Sequence, residues 1–176
     1  IAILNSGAVQ IANGFVQGAG LIVDLTATGG SITETSPGAA ADIVGSTINL
    51  TVTGATSTVG TSSETLEIDA TTLNVTTAGG SIFLEDTAGG VVLGLVDAGT
   101  GNVTLTATGG SITELNDVAT DIVGSTVNLT VTGTTSTVGT SSGTLEIDAT
   151  TLNVTTAGGS VFLEDISGGI AIGLVN

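Results

Sequence analysis

The sequence predicts an all-β chain, a parallel β-solenoid of about nine rungs of roughly 20 residues each. Three observations carry that reading. A long repeat, about 79–80 positions in period, runs through the chain. Apolar residues alternate with polar ones at the two-residue period of a half-buried strand. The alphabet is Val, Ile, Leu and Ala inside a background of Thr, Ser, Asn and Gly, which suits a narrow, pleated core.

The repeat is read directly from the letters. Leu-Thr-Ala-Thr-Gly-Gly-Ser-Ile-Thr-Glu occupies Leu25 to Glu34 and again Leu105 to Glu114. The run beginning Thr-Leu-Glu-Ile-Asp at Thr65 returns at Thr144, one position sooner than that first offset would place it. One residue is therefore lost between 35–41 and 115–120, and an indel beside the only proline, Pro37, marks an exposed loop. The copies span about 24–102 and 104–176. Within each, Leu50-Thr-Val-Thr, Leu73-Asn-Val-Thr and Leu105-Thr-Ala-Thr are variants of one theme. This divides the long repeat into four shorter units, about Ser46–Glu64, Thr65–Gly80, Ser81–Gly101 and Asn102–Gly124.

Alternation is clear at Ile48-x-Leu50-x-Val52, Leu66-x-Ile68, Leu73-x-Val75, Val91-x-Leu93-x-Leu95 and Val103-x-Leu105-x-Ala107. Gly-Gly, Gly-Ser and Thr-Gly pairs punctuate these runs as turns do. A single short rung cannot bury its own apolar side chains. Stacked rungs can, by aligning Val, Ile and Leu into continuous columns. The only large aromatic side chains are Phe15, Phe83 and Phe162.

Composition also excludes. The chain has no Lys, Arg or His and 16 acidic residues, a formal charge of −16. Nothing in it can neutralise phosphate, so nucleic acid is not an expected partner, nor is an anionic membrane surface. No segment has the run of roughly 18 to 20 apolar residues that crosses a bilayer as a helix. His, Cys, Lys and Tyr, the usual nucleophiles and bases, are all missing. Only carboxylates remain, in the manner of a glycosidase: Glu85 with Asp86, Glu164 with Asp165, and Glu67 with Asp69. Glu67 and Asp69 alternate with Leu66 and Ile68 and are expected to face solvent. Each pair recurs in both copies, as a solvated face does and a single active site does not. No catalytic residue and no cofactor is assigned. Glu85, Asp86, Glu164 and Asp165 are candidates for loosely held Ca²⁺, whose ligands are hard oxygens. Glu85 and Glu164 stand about four rungs apart, too far to share one ion.

Five Asn-x-Thr sequons, at Asn49, Asn74, Asn102, Asn128 and Asn153, flank buried positions and should face outward. The pairs Thr26/Thr28, Thr51/Thr53, Thr106/Thr108 and Thr130/Thr132 are spaced like the threonine rows of ice-binding solenoids. Threonine is also the ordinary outward residue of a half-buried strand.

The phrases Gly45–Gly54, Thr72–Ile82 and Asn102–Ile112 resemble the repeats of large filamentous-haemagglutinin-like exoproteins. The likeness covers the chain from about Leu21 onward. It implies a right-handed parallel β-helix and service as a surface adhesin or fibre, hence an extracellular or cell-surface location.

The ends differ from the middle. Residues 1–20 contain neither acid nor threonine and read as a divergent first rung or a strand donated to a neighbour. Ile170 to Asn176 matches Val91 to Asp97 and shows no polar cap. Ile1, Ile3 and Leu4 at one end, and Ile170, Ile172 and Leu174 at the other, are the expected contacts with a second copy stacked head to tail or with neighbouring repeats.

Overall fold

A computed structural model describes residues 1–12, 16–35, 38, 40–115 and 119–176. Phe15 and the indel position at Pro37 lie outside the described residues. The described residues form fourteen strands and no helix. They are β1 (Ala2–Asn5), β2 (Val9–Ile11), β3 (Val16–Ala27), β4 (Ile32–Glu34), β5 (Ile43–Val52), β6 (Leu66–Thr77) and β7 (Ile82–Asp86), followed by β8 (Gly90–Asp97), β9 (Val103–Ala107), β10 (Ser111–Glu114), β11 (Ile122–Val131), β12 (Leu145–Thr156), β13 (Leu163–Asp165) and β14 (Ala171–Val175). Every pairing between these strands is parallel. The chain is a parallel β-solenoid.

Long strands turn corners. Leu66 to Ile68 of β6 pairs with β7, and Thr72 to Thr76 of the same strand pairs with β8. Alternation then sends one side chain in two to the interior. Val23, Leu25, Ile48, Leu50, Leu73, Val75, Leu84, Leu105 and Leu129 are at most 1% exposed and belong to one continuous apolar core.

One column counts the turns. Val9, Ile32, Val59, Ile82, Val103, Val127, Leu152 and Ile172 stand one above another, each paired with the next. The steps between them mark about seven turns. The shortest runs from Leu152 to Ile172 and the longest from Ile32 to Val59. The expected count of about nine rungs is therefore corrected to seven longer ones. The excess lies in loops that the Gly-Gly punctuation hides, above all the stretch 53–65 between β5 and β6. Seven turns at about 4.8 Å make a rod of roughly 34 Å.

The long repeat is not a whole number of turns. One column runs from Val16 through Ile43, Ile68, Asp86, Ala107 and Val131. Val131 is the copy of Val52, not of Ile43, whose own copy Ile122 stacks on Val96. The second copy is thus displaced around the coil by the stretch from Ile43 to Val52, more than a third of a turn. Identical sequence motifs face different sides of the rod.

Two glycines are set by the stacking. Gly60 and its copy Gly139 have φ of 66° and 69°, the left-handed region. A Cβ on either would run into a carbonyl of the next turn, that of Phe83 or Phe162.

Candidate functional site: two carboxylate trios and the outer turns

Residues far apart in sequence meet because one full turn of the coil carries the chain from Asp42 to Glu67. Ile43 pairs with Ile68, so Asp42, just before β5, lies beside Glu67 at the start of β6. The backbone N–H of Asp42 donates to the Glu67 carbonyl at 2.7 Å. Glu34, at the end of β4, joins them from the other side of the stretch 35–41. Carboxylate oxygens of Glu34, Asp42 and Glu67 lie within 4.8 Å of one another. The second copy repeats the arrangement with Glu114, Asp121 and Glu146, again within 4.8 Å. Here Glu114 ends β10 and Asp121 N–H donates to the Glu146 carbonyl at 2.8 Å.

Four of the six carboxylates are buried, and Asp42 and Glu114 are half-buried. Glu34 is 9% exposed, Glu67 7%, Glu146 8% and Asp121 1%. The expectation that Glu67 faces solvent is therefore wrong. Its side chain leaves the core side of the strand, as alternation demands, but Glu34 and Asp42 cover it. A threonine orients each glutamate: Thr65 Oγ1 donates to Glu67 Oε1 at 3.2 Å, and Thr144 Oγ1 to Glu146 Oε1 at 3.0 Å. The other oxygens, Glu67 Oε2 and Glu146 Oε2, are buried without a hydrogen-bond partner, as are both oxygens of Glu34, Asp42 Oδ2 and Asp121 Oδ1. Asp121 Oδ2 accepts from the Glu146 N–H at 3.0 Å.

The electrostatics follow from burial without a cation. Desolvation, and next the negative charge of Glu34, push the Glu67 carboxyl up to about 7. Asp121 is also pushed up to about 7, by burial above all and in part by the Glu114 and Glu146 charges, against the pull of its backbone hydrogen bond. Burial raises Glu34 and Asp42 as well.

The residues singled out in sequence fall elsewhere. Asp86 is fully buried and accepts two backbone N–H bonds, from Ala70 and Gly90, each at 3.1 Å. It is a turn-locking carboxylate, and burial lifts it to about 6. Glu85 pairs in register with Glu67 one turn away and accepts from Thr108 Oγ1 at 3.0 Å. Glu164 is exposed above Glu146, and Asp165 is half-buried. Asp69 is half-buried. None of the metal candidates Glu85, Asp86, Glu164 and Asp165 belongs to a cluster of three acids among the described residues. The trios escaped sequence reading because a variable stretch and then a whole turn separate their members. Their joint recurrence in both copies was the available signal.

Four of the five sequon asparagines form ladders instead of projecting freely. Asn74 Nδ2 donates to Asn49 Oδ1 at 2.8 Å and Asn49 Nδ2 to Asp24 Oδ1 at 2.5 Å. Asn153 Nδ2 donates to Asn128 Oδ1 at 2.9 Å, and Asn128 Nδ2 to Thr104 Oγ1 at 3.3 Å. All four are half-buried, whereas Asn102 is exposed. Each ladder ends where a glycine, Gly94 or Gly173, comes so close that its Cβ would strike the last asparagine oxygen. The threonine rows are short. Thr26, Thr51 and Thr76 stack and then meet Asp97, and Thr106, Thr130 and Thr155 stack above Glu85.

At one end of the rod β1 pairs with β3, and β2 with β4, as the first turn. Ile1, Ile3 and Leu4 are 46%, 39% and 76% exposed there. At the other end β14 lies on β12, and Ile172, Leu174 and Val175 are 57%, 51% and 50% exposed. Ile170 is half-buried against the core. Compared with known families, curated proteins and solved structures, the chain matches none.

Proposed function

We propose that this chain is a structural segment of an extracellular or cell-surface fibre, a shaft that bears load and performs no catalysis. The coil is taken as right-handed, the hand parallel crossovers adopt. The observation that carries the reading is the uninterrupted stack: every pairing between the described strands is parallel, and one continuous apolar core runs through the turns. β1 and β14 carry exposed apolar residues and can each take a further parallel strand, whether from more of the same polypeptide or from a second copy. A contact of one end with the other does not close, so it builds a filament. Every interface between turns is held by many backbone hydrogen bonds at once, which suits tension. The absence of Lys and Arg removes trypsin sites, an advantage to an exposed fibre. Uniform negative charge keeps neighbouring rods apart in solution.

Electron microscopy of the purified chain at neutral pH tests this. Uniform filaments with an axial repeat near the rod length of roughly 34 Å are the expected result. Isolated short rods would defeat self-assembly and leave the second form of the same reading: a stalk in a larger adhesin, in which more of one polypeptide supplies the adjoining turns.

A further inference from the structure

We propose that each carboxylate trio, Glu34/Asp42/Glu67 and Glu114/Asp121/Glu146, is a divalent-cation site and that the ion it takes is calcium. Geometry comes first. Calcium binds oxygen at about 2.3–2.6 Å. Two oxygens on one ion are then at most about 5 Å apart, and in both trios the three carboxylate oxygens fall within 4.8 Å of one another.

Unfilled bonding capacity is the independent observation. Glu34 is more than nine-tenths buried, and neither of its carboxylate oxygens has a hydrogen-bond partner. Glu67 Oε2, Glu146 Oε2 and Asp121 Oδ1 are in the same condition, each on a side chain more than nine-tenths buried. Buried carboxylates are ordinarily paired or bound to metal. This protein cannot pair them, since it has no Lys, Arg or His.

The orienting contacts point the same way. Thr65 and Thr144 hold one oxygen of Glu67 and Glu146 and leave the other, Oε2, buried and unpartnered. The Glu146 N–H holds Asp121 in the same fashion. Fixing ligand carboxylates by hydrogen bonds from behind is how metal sites are built. Hard oxygen donors without nitrogen or sulfur select calcium over zinc or copper, and magnesium, which keeps several of its waters, is seldom held by a dedicated all-protein cage. An open cleft of roughly 330 Å³, lined by Thr113, Glu114, Leu115, Thr140, Ser142 and Gly143, opens Glu114 of the second trio to solvent. Each ion would tie the strand before the variable stretch to the two strands after it.

Titrating CaCl₂ calorimetrically into the chelator-treated chain at pH 7.5 and constant ionic strength tests the assignment. Two saturable sites per chain are expected, with dissociation constants at or below about 1 mM. Glu34→Gln should leave one site, and Glu34→Gln with Glu146→Gln should leave none. Glu164→Gln, on the exposed surface, should keep both. Failure of the parent chain to bind saturably overturns the proposal, as does survival of both sites in the double variant. Should the double variant not fold, thermal unfolding of the parent decides. The unfolding temperature is expected to rise with CaCl₂ and not with NaCl of equal ionic strength, and equal responses to the two salts overturn the proposal.

Discussion

The segments Ser81–Asp86 and Ser160–Asp165 differ by a single methylene, Ile82 against Val161, yet they occupy unlike surroundings. In the first, Ile82, Leu84 and Asp86 are fully buried and β7 extends from Ile82 to Asp86. In the second, Val161, Leu163 and Asp165 are only half-buried and β13 begins no earlier than Leu163. The difference is the next turn. β7 is covered by β9, and among the described residues no strand covers β13 on that side. Burial in a solenoid is thus lent by the neighbouring turn and is not a property of the strand's own letters.

Paired substitutions measure that loan. Leu84→Ala should cost about 2–5 kcal/mol in urea unfolding, the range for a truncated core leucine. Leu163→Ala should cost about 1 kcal/mol or less, because little area is lost there. If rods stack as proposed, raising the protein concentration should bring the second cost toward the first. Equal costs at high dilution would mean that the last turn is covered already.

Gly60→Ala should cost about 1–3 kcal/mol, through its left-handed φ and the clash with the Phe83 carbonyl. Gly139→Ala should cost less, since Phe162 sits on the outer turn and can yield. Comparing their thermal midpoints checks the order.

The pH response follows from Asp86, whose counterpart Asp165 lacks its enclosure. A carboxyl raised by burial holds its proton more tightly in the folded chain than in the unfolded one. Its contribution to stability is therefore complete below about pH 4 and is lost as pH rises through about 6. The raised carboxyls of Glu67 and Asp121 act in the same direction toward pH 7. Without calcium the protein should be more stable at pH 4 than at pH 7, the reverse of ordinary acid denaturation. Asp86→Asn should flatten the part of the slope between pH 4 and 6. Chemical unfolding at a series of pH values reads this.

The smallest effect belongs to the asparagine ladders. Asn74→Ala removes one bond and orphans Asn49 Oδ1, a loss of about 1 kcal/mol. Asn153→Ala on the more open turn should lose less, by the same unfolding assay.

The fold was legible in the sequence because each turn asks for the same pattern, so alternation and repetition reinforce one another. The turn count was not legible. Gly80-Ser81 and Gly110-Ser111 mark corners, and corners recur more often than turns. With the turn length went the trios. Asp42 meets Glu67 only on the longer turn that the coil adopts, and on the shorter one expected it would face Ser62. Alternation placed Glu67 on the outer side of its strand, but it cannot see that Glu34 and Asp42 close over that position.

The mismatch between repeat and turn has a consequence for anything that lies along the rod. Duplicating this sequence unit does not lengthen a stripe; it advances a screw. Glu34 with Glu67, and Glu114 with Glu146, point to different compass bearings. A flat surface set against one copy therefore misses its twin, and a partner that reads both copies must wrap.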